Sequence, residues 1–200
     1  MKWAPWALLA LVVCFGALWR LDLVNQTPVE AVENAYLDDA FFYVLVAENI
    51  ADGNGSTLDG INETNGYHPL WMGLLVLLHS FTDSDDFFSA HLALSALFSI
   101  GSFFFVWKFV SLFSQNLWVR VSAFSLYALN PRVVYLTMNG METSLLLFLL
   151  SAFLYVFFLW WQNRNRSVQF FALFGILSAL LFLTRTDSLV ILGVVFLAML

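Results

Sequence analysis

Residues 87–113, FFSAHLALSALFSIGSFFFVWKFVSLF, contain no acid, and Lys108 is their only formal charge. A hydrocarbon layer of about 30 Å is crossed by roughly 20 apolar helical residues, so this run reads as a membrane span. Outward from it, similar runs lie at Trp3–Leu23, Val119–Met138, Leu145–Trp161 and Val168–Leu183, and a last one begins at Ser188. The whole chain is 61% hydrophobic and only 11% charged, whereas soluble domains are about 45–50% apolar and roughly 25% charged. An all-α integral membrane protein, a multi-span helical bundle, is the fold class expected. Soluble, disordered, collagen-like, coiled-coil and disulfide-framework classes are excluded. The lone Cys14 cannot form an intramolecular bridge and is expected to be a small buried hydrophobe.

The formal charge of −6 is distributed unevenly. No Lys or Arg lies between Leu21 and Trp107, and that stretch holds every acid except Glu142 and Asp187. Short cytoplasmic loops gather bases, so the base-free segment is expected to face outward. Alternating the spans from a cytoplasmic N-terminus puts Lys108, Arg120, Arg164 and Arg166 at inner ends and Arg20, Arg132 and Arg185 at outer ends. The expected location is the plasma (inner) membrane, multi-pass. The start also has signal-peptide features, but its apolar run exceeds a typical h-region and no small-x-small site follows, which favours an uncleaved anchor. The final run, Ser188 to Leu200, is too short to span and lacks a cap. The 200 residues are therefore expected to form a single membrane domain, the N-terminal part of a larger protein.

The first loop, residues 24–86, is acidic and rich in turn signals, and it is expected to carry interfacial helices. One starts at Asp38-Asp39, continues with apolar residues at three-to-four spacing, and ends near Gly53 or Gly55. A carboxylate fixed near apolar surface can serve as a general base. An acid pair at a helix start can equally be a cap favoured by the dipole. A second short helix is expected to start at Pro69, after Tyr67 and His68, with proline at the first helical position. His68 fits either a phosphate or metal contact or a solvated capping residue. Asp83, Asp85 and Asp86 suit the N-terminus of the next span.

Asn130-Pro131-Arg132 interrupts the third long run, because proline removes a helical hydrogen bond and clashes with the preceding turn. Asn139-Gly140-Met141-Glu142-Thr143 then offers a carboxylate that could cap the following span or belong to a site. Thr184-Arg185-Thr186-Asp187-Ser188 brings an opposite-charge pair close to two apolar runs. Such a pair is either functional or a self-satisfied ion pair closing a helical hairpin. Zinc-ligand spacing, a phosphate-cradling glycine loop, a Ser-His-Asp order and a nucleic-acid patch are all lacking. Asn25, Asn54 and Asn62 begin glycosylation sequons, which matter only in a eukaryotic secretory setting.

Asp38-Asp39-Ala-Phe-Phe-Tyr, Gly66-Tyr67-His68-Pro69-Leu70-Trp71, Leu129-Asn130-Pro131, Asn139-Gly140-Met141-Glu142-Thr143 and Leu183-Thr184-Arg185-Thr186-Asp187 occur in an order that resembles GT-C fold membrane glycosyltransferases. The likeness is to bacterial arabinofuranosyl- and mannosyltransferase-like members. It implies transfer of a sugar from a polyprenyl-phosphate carrier to a glycan, lipid or protein acceptor on the outer side, with inversion. It also implies that Asp38 is the base, that Asp39 is the second acid of the pair, and that Glu142 is a second acidic site. Relatives often carry a basic residue where this chain has His68, and Pro or Gly after the Thr-Lys/Arg that Thr184-Arg185 matches, so Thr186 and Asp187 depart from that pattern. The resulting substrate-binding candidates are Glu142, Tyr67, His68, Arg185, Asp187 and Arg132, with room for a divalent metal among the outer acids. Two readings from other classes remain. One is a transporter or flippase subunit using Glu142, Arg185 and Asp187 as an intramembrane relay. The other is a non-catalytic scaffold whose acidic loop binds a partner.

Overall fold

The computed structural model describes residues 3–34, 36–163 and 167–199. Among them the chain is helical, with no strand beyond one bridge between Thr57 and Glu63. Three helices are long and apolar enough to cross a bilayer: α1 (Ala4–Val24), α5 (Ser84–Ser111, apolar from Asp86) and α8 (Thr143–Asn163). Between α1 and α5 lie α2 (Pro28–Asn34), α3 (Asp38–Ala51) and α4 (Pro69–His79).

Two expected spans differ from a simple crossing. The run at Val119–Met138 is two pieces, α6 (Leu117–Ala128) and α7 (Pro131–Thr137), each started by an asparagine. Asn116 accepts from the Trp118 N–H, and Asn130 accepts from the Arg132 N–H, both at 2.9 Å. The proline break is the cause, as its local chemistry requires. The other run, α9 (Val168–Thr184), has 17 residues, about 25 Å of helix at 1.5 Å per residue. A 3-10 turn at Thr186–Ser188 leads on to α10 (Leu189–Met199).

Parallel α5 and α8 form the centre, with Phe98 against Phe148 and Phe109 against Phe158 at 5.5 and 5.4 Å. On the far side of α8, Phe153 stacks on Phe174 of α9 at 4.7 Å. A buried stripe of Val12, Gly16 and Arg20 fixes α1 to α5 and α6. One expectation is corrected on that helix. Cys14 is exposed on the protein surface, because it points away from the stripe. Arg20, on the same helix, is fully buried and hydrogen-bonds to Ser99, Gly16 and Ala128.

The ends of the bundle are chemically unlike. At one end Lys108 closes α5 and Arg120 bonds to Ser114 and Gln115. Arg164 and Arg166, assigned to the same end from the sequence, lie outside the described residues. At the other end α1, α7 and α9 finish, α5 and α8 begin, and α2 to α4 cover them.

Candidate functional site

The turn after α7 is the platform of the covered end. Its Asn139 carbonyl accepts from the Leu37 N–H at 3.1 Å, one residue before the acid pair. Gly140 sits at φ 78°, and a Cβ there would lie 2.3 Å from the Tyr36 ring and 2.6 Å from Ala40. Only glycine satisfies both the backbone angle and the space. Gly140→Ala is expected to destabilise the chain by about 2–3 kcal/mol through overpacking and backbone strain. Denaturant unfolding of the purified protein in detergent measures this, and an unchanged midpoint would show that α3 is not docked there.

With α3 held in this way, Asp38 and Asp39 occupy its first turn, both exposed. Asp38 Oδ1 accepts from the Asp39 N–H at 2.9 Å, which satisfies one of the unpaired amides of the helix start. One turn further, on the face of Asp39, Tyr43 is 3% exposed and reaches the centre of the site. Its hydroxyl accepts from the His68 backbone N–H at 3.0 Å and donates to Glu142 Oε2 at 3.3 Å. Burial raises the Tyr43 hydroxyl above its ordinary value, so it stays protonated and remains a donor through neutral pH.

Glu142, 2% exposed, is the hub. Its Oε1 lies 3.4 Å from His68 Nε2 and 3.5 Å from an Arg185 Nη. Arg185 in turn grips Asp187 with two bonds, Nε to Oδ1 at 3.1 Å and Nη2 to Oδ2 at 2.9 Å. The side chains of His68 and Arg185 stay 29% and 37% exposed, so the buried carboxylate aligns two nitrogen groups whose remaining surface is open to a ligand.

His68, Glu142, Arg185 and Asp187, read separately from the sequence, thus come together. Tyr67 and Arg132 do not join them. The Tyr67 hydroxyl pairs with Ser56 Oγ at 2.8 Å, and Arg132 is exposed and lies over the Tyr135 ring at 5.4 Å. Among the described residues no group of three His, Cys, Asp or Glu side chains is placed to hold a metal ion. Tyr43 escaped the sequence reading, although its position four residues after Asp39 marked it. So did the start of α2, where Thr27 and Glu30 bond reciprocally as a capping box ahead of Pro28. Comparison of the chain with protein-family models, with curated proteins and with solved structures finds no match.

Proposed function

We propose that the chain is a membrane glycosyltransferase of the GT-C type. It moves a sugar from a polyprenyl-phosphate carrier to an acceptor on the extracytoplasmic side of the plasma (inner) membrane, its N-terminus in the cytoplasm. The observation that carries the reading is Glu142, a buried carboxylate that aligns half-exposed His68 and Arg185 beside the helix whose first turn holds Asp38 and Asp39.

The chemistry follows from these groups. Asp38 takes the proton of the acceptor hydroxyl as its oxygen bonds to the anomeric carbon. The bond from that carbon to the phosphate oxygen breaks, and the electron pair leaves with the phosphate. Arg185 and His68 face that developing charge, where a guanidinium makes strong charge-assisted bonds. A single displacement inverts the anomeric centre. Arg185 is already paired with two acids, Glu142 and Asp187. The alignment of Arg185, more than bulk positive potential, therefore has to supply phosphate recognition.

The test compares lipid extracts of the native host with those of an Asp38→Asn, Asp39→Asn double variant by mass spectrometry of polyprenyl-phosphate sugars. Accumulation of one lipid-linked sugar at unchanged protein level is the expected result. An unchanged lipid profile would overturn the proposal and return the acid pair to a cap, with transport or scaffolding as the function.

A further inference from the structure

The buried arginine of α1 has no part in the chemistry above, yet its connections lead to the site. Arg20 is 0% exposed, and among the described residues no Asp or Glu pairs with it. An uncompensated charge inside an apolar bundle is costly and persists only where backbone and hydroxyl oxygens replace its water. Those oxygens are specific, serving Nε and Nη1, while Nη2 is buried without a hydrogen-bond partner among the described residues. Nη1 donates to the Gly16 carbonyl at 2.8 Å and to the Ala128 carbonyl at 3.0 Å, and the guanidinium lies 4.8 Å above the Phe103 ring. In an unbroken helix the Ala128 carbonyl would accept from the Arg132 N–H, but that N–H is taken by Asn130. Arg20 therefore supplies the donor that the Asn130 cap diverts from Ala128, and its positive charge suits the C-terminal end of α6. Gly16 makes the approach possible, since a Cβ there would already be 3.2 Å from the Ala128 oxygen.

A second branch runs toward the site. Arg20 Nε donates to Ser99 Oγ at 2.6 Å, Ser99 Oγ donates to Thr137 Oγ1 at 2.8 Å, and Thr137 Oγ1 donates to the Val133 carbonyl at 2.8 Å. Thr137 ends α7, and the next residues are the turn whose Asn139 carbonyl holds α3 and whose Glu142 holds His68 and Arg185. We infer that Arg20 is a positioning residue: it caps the broken helix at Ala128 and, through Ser99 and Thr137, fixes the turn on which both Glu142 and the Asp38-Asp39 pair are mounted. Its importance for sugar transfer rests on the transferase reading, but the anchoring can be measured without turnover.

The experiment uses the full chain in open membranes with Cys14→Ser and one reporter cysteine at a time. Met138→Cys sits in the turn region, where Met138 is 1% exposed, and Leu149→Cys sits in the α8 core, where Leu149 is 5% exposed. Modification by N-ethylmaleimide is timed in the parent, in Arg20→Gln and in Ser99→Ala. Both substitutions are expected to speed modification of Met138→Cys at least tenfold and to leave Leu149→Cys at its parental rate. Ser99→Ala severs only the second branch and adds no bulk, so it decides the matter even if Arg20→Gln fails to fold. If Met138→Cys stays protected in Ser99→Ala, or if Leu149→Cys opens equally, the inference is overturned.

Discussion

Replacing Asp38 by Asn is expected to lower sugar transfer by about two to four orders of magnitude, the range lost with a general base, while the amount of folded protein in the membrane stays the same. The contrast follows from where the side chain sits. Asp38 is exposed on the first turn of α3, and its hydrogen bond from the Asp39 amide can be accepted equally by an Asn side-chain oxygen. What the substitution removes from stability is one favourable charge at a helix start, worth about 0.3–1 kcal/mol. What it removes from the proposed reaction is the acceptor assigned to the hydroxyl proton. Asp39→Asn is the internal comparison, because Asp39 shares its helix face with Tyr43 while Asp38 does not. Initial rates with lipid-linked donor in membranes matched for protein level separate the two. Asp38→Asn with more than a tenth of parental activity would reassign the base.

Local grammar was readable. Pro69 opens α4 as proline at a first helical position should, α3 begins at the acid pair, and the Asn130-Pro131 step divides α6 from α7. These signals act within a few residues and need no tertiary partner. Glu142 was ambiguous for the opposite reason. A carboxylate before a helix looks like a cap, and what makes it a hub is Tyr43, 99 residues earlier in the chain. Arg20 was legible only as a charge near a span end, because its partner carbonyl at Ala128 is 108 residues away. Counting bases by loop cannot anticipate a guanidinium that repairs a broken helix. Tyr67 shows the same dependence on partners distant in the chain. Its neighbour His68 reaches Glu142, but the Tyr67 ring turns toward the core and its hydroxyl to Ser56.

Glu142 then offers the sharper test of whether the convergent side chains act as a unit. Glu142→Ala leaves the Tyr43 hydroxyl without its acceptor and two nitrogen groups without their anion. Removing one partner of a buried pair typically costs about 3–5 kcal/mol. Arg185 is 37% exposed and keeps Asp187, so solvent and that second acid absorb part of the loss, and about 2–3 kcal/mol of destabilisation is expected. Glu142→Gln separates charge from shape, because the amide oxygen still accepts from Tyr43 but no longer draws His68 and Arg185 together. Its folding is expected to stay near the parent while transfer falls about ten- to a hundredfold, the loss of an oriented phosphate contact. Arg185→Gln should cost a similar factor for the same reason. If one alignment underlies both effects, the double variant should be little worse than either single one, with a coupling of about 1–3 kcal/mol in the cycle. Additivity within about 0.5 kcal/mol would mean that Glu142 and Arg185 contribute independently, and a buried carboxylate that aligns nothing would then have only its bond to Tyr43 to explain it.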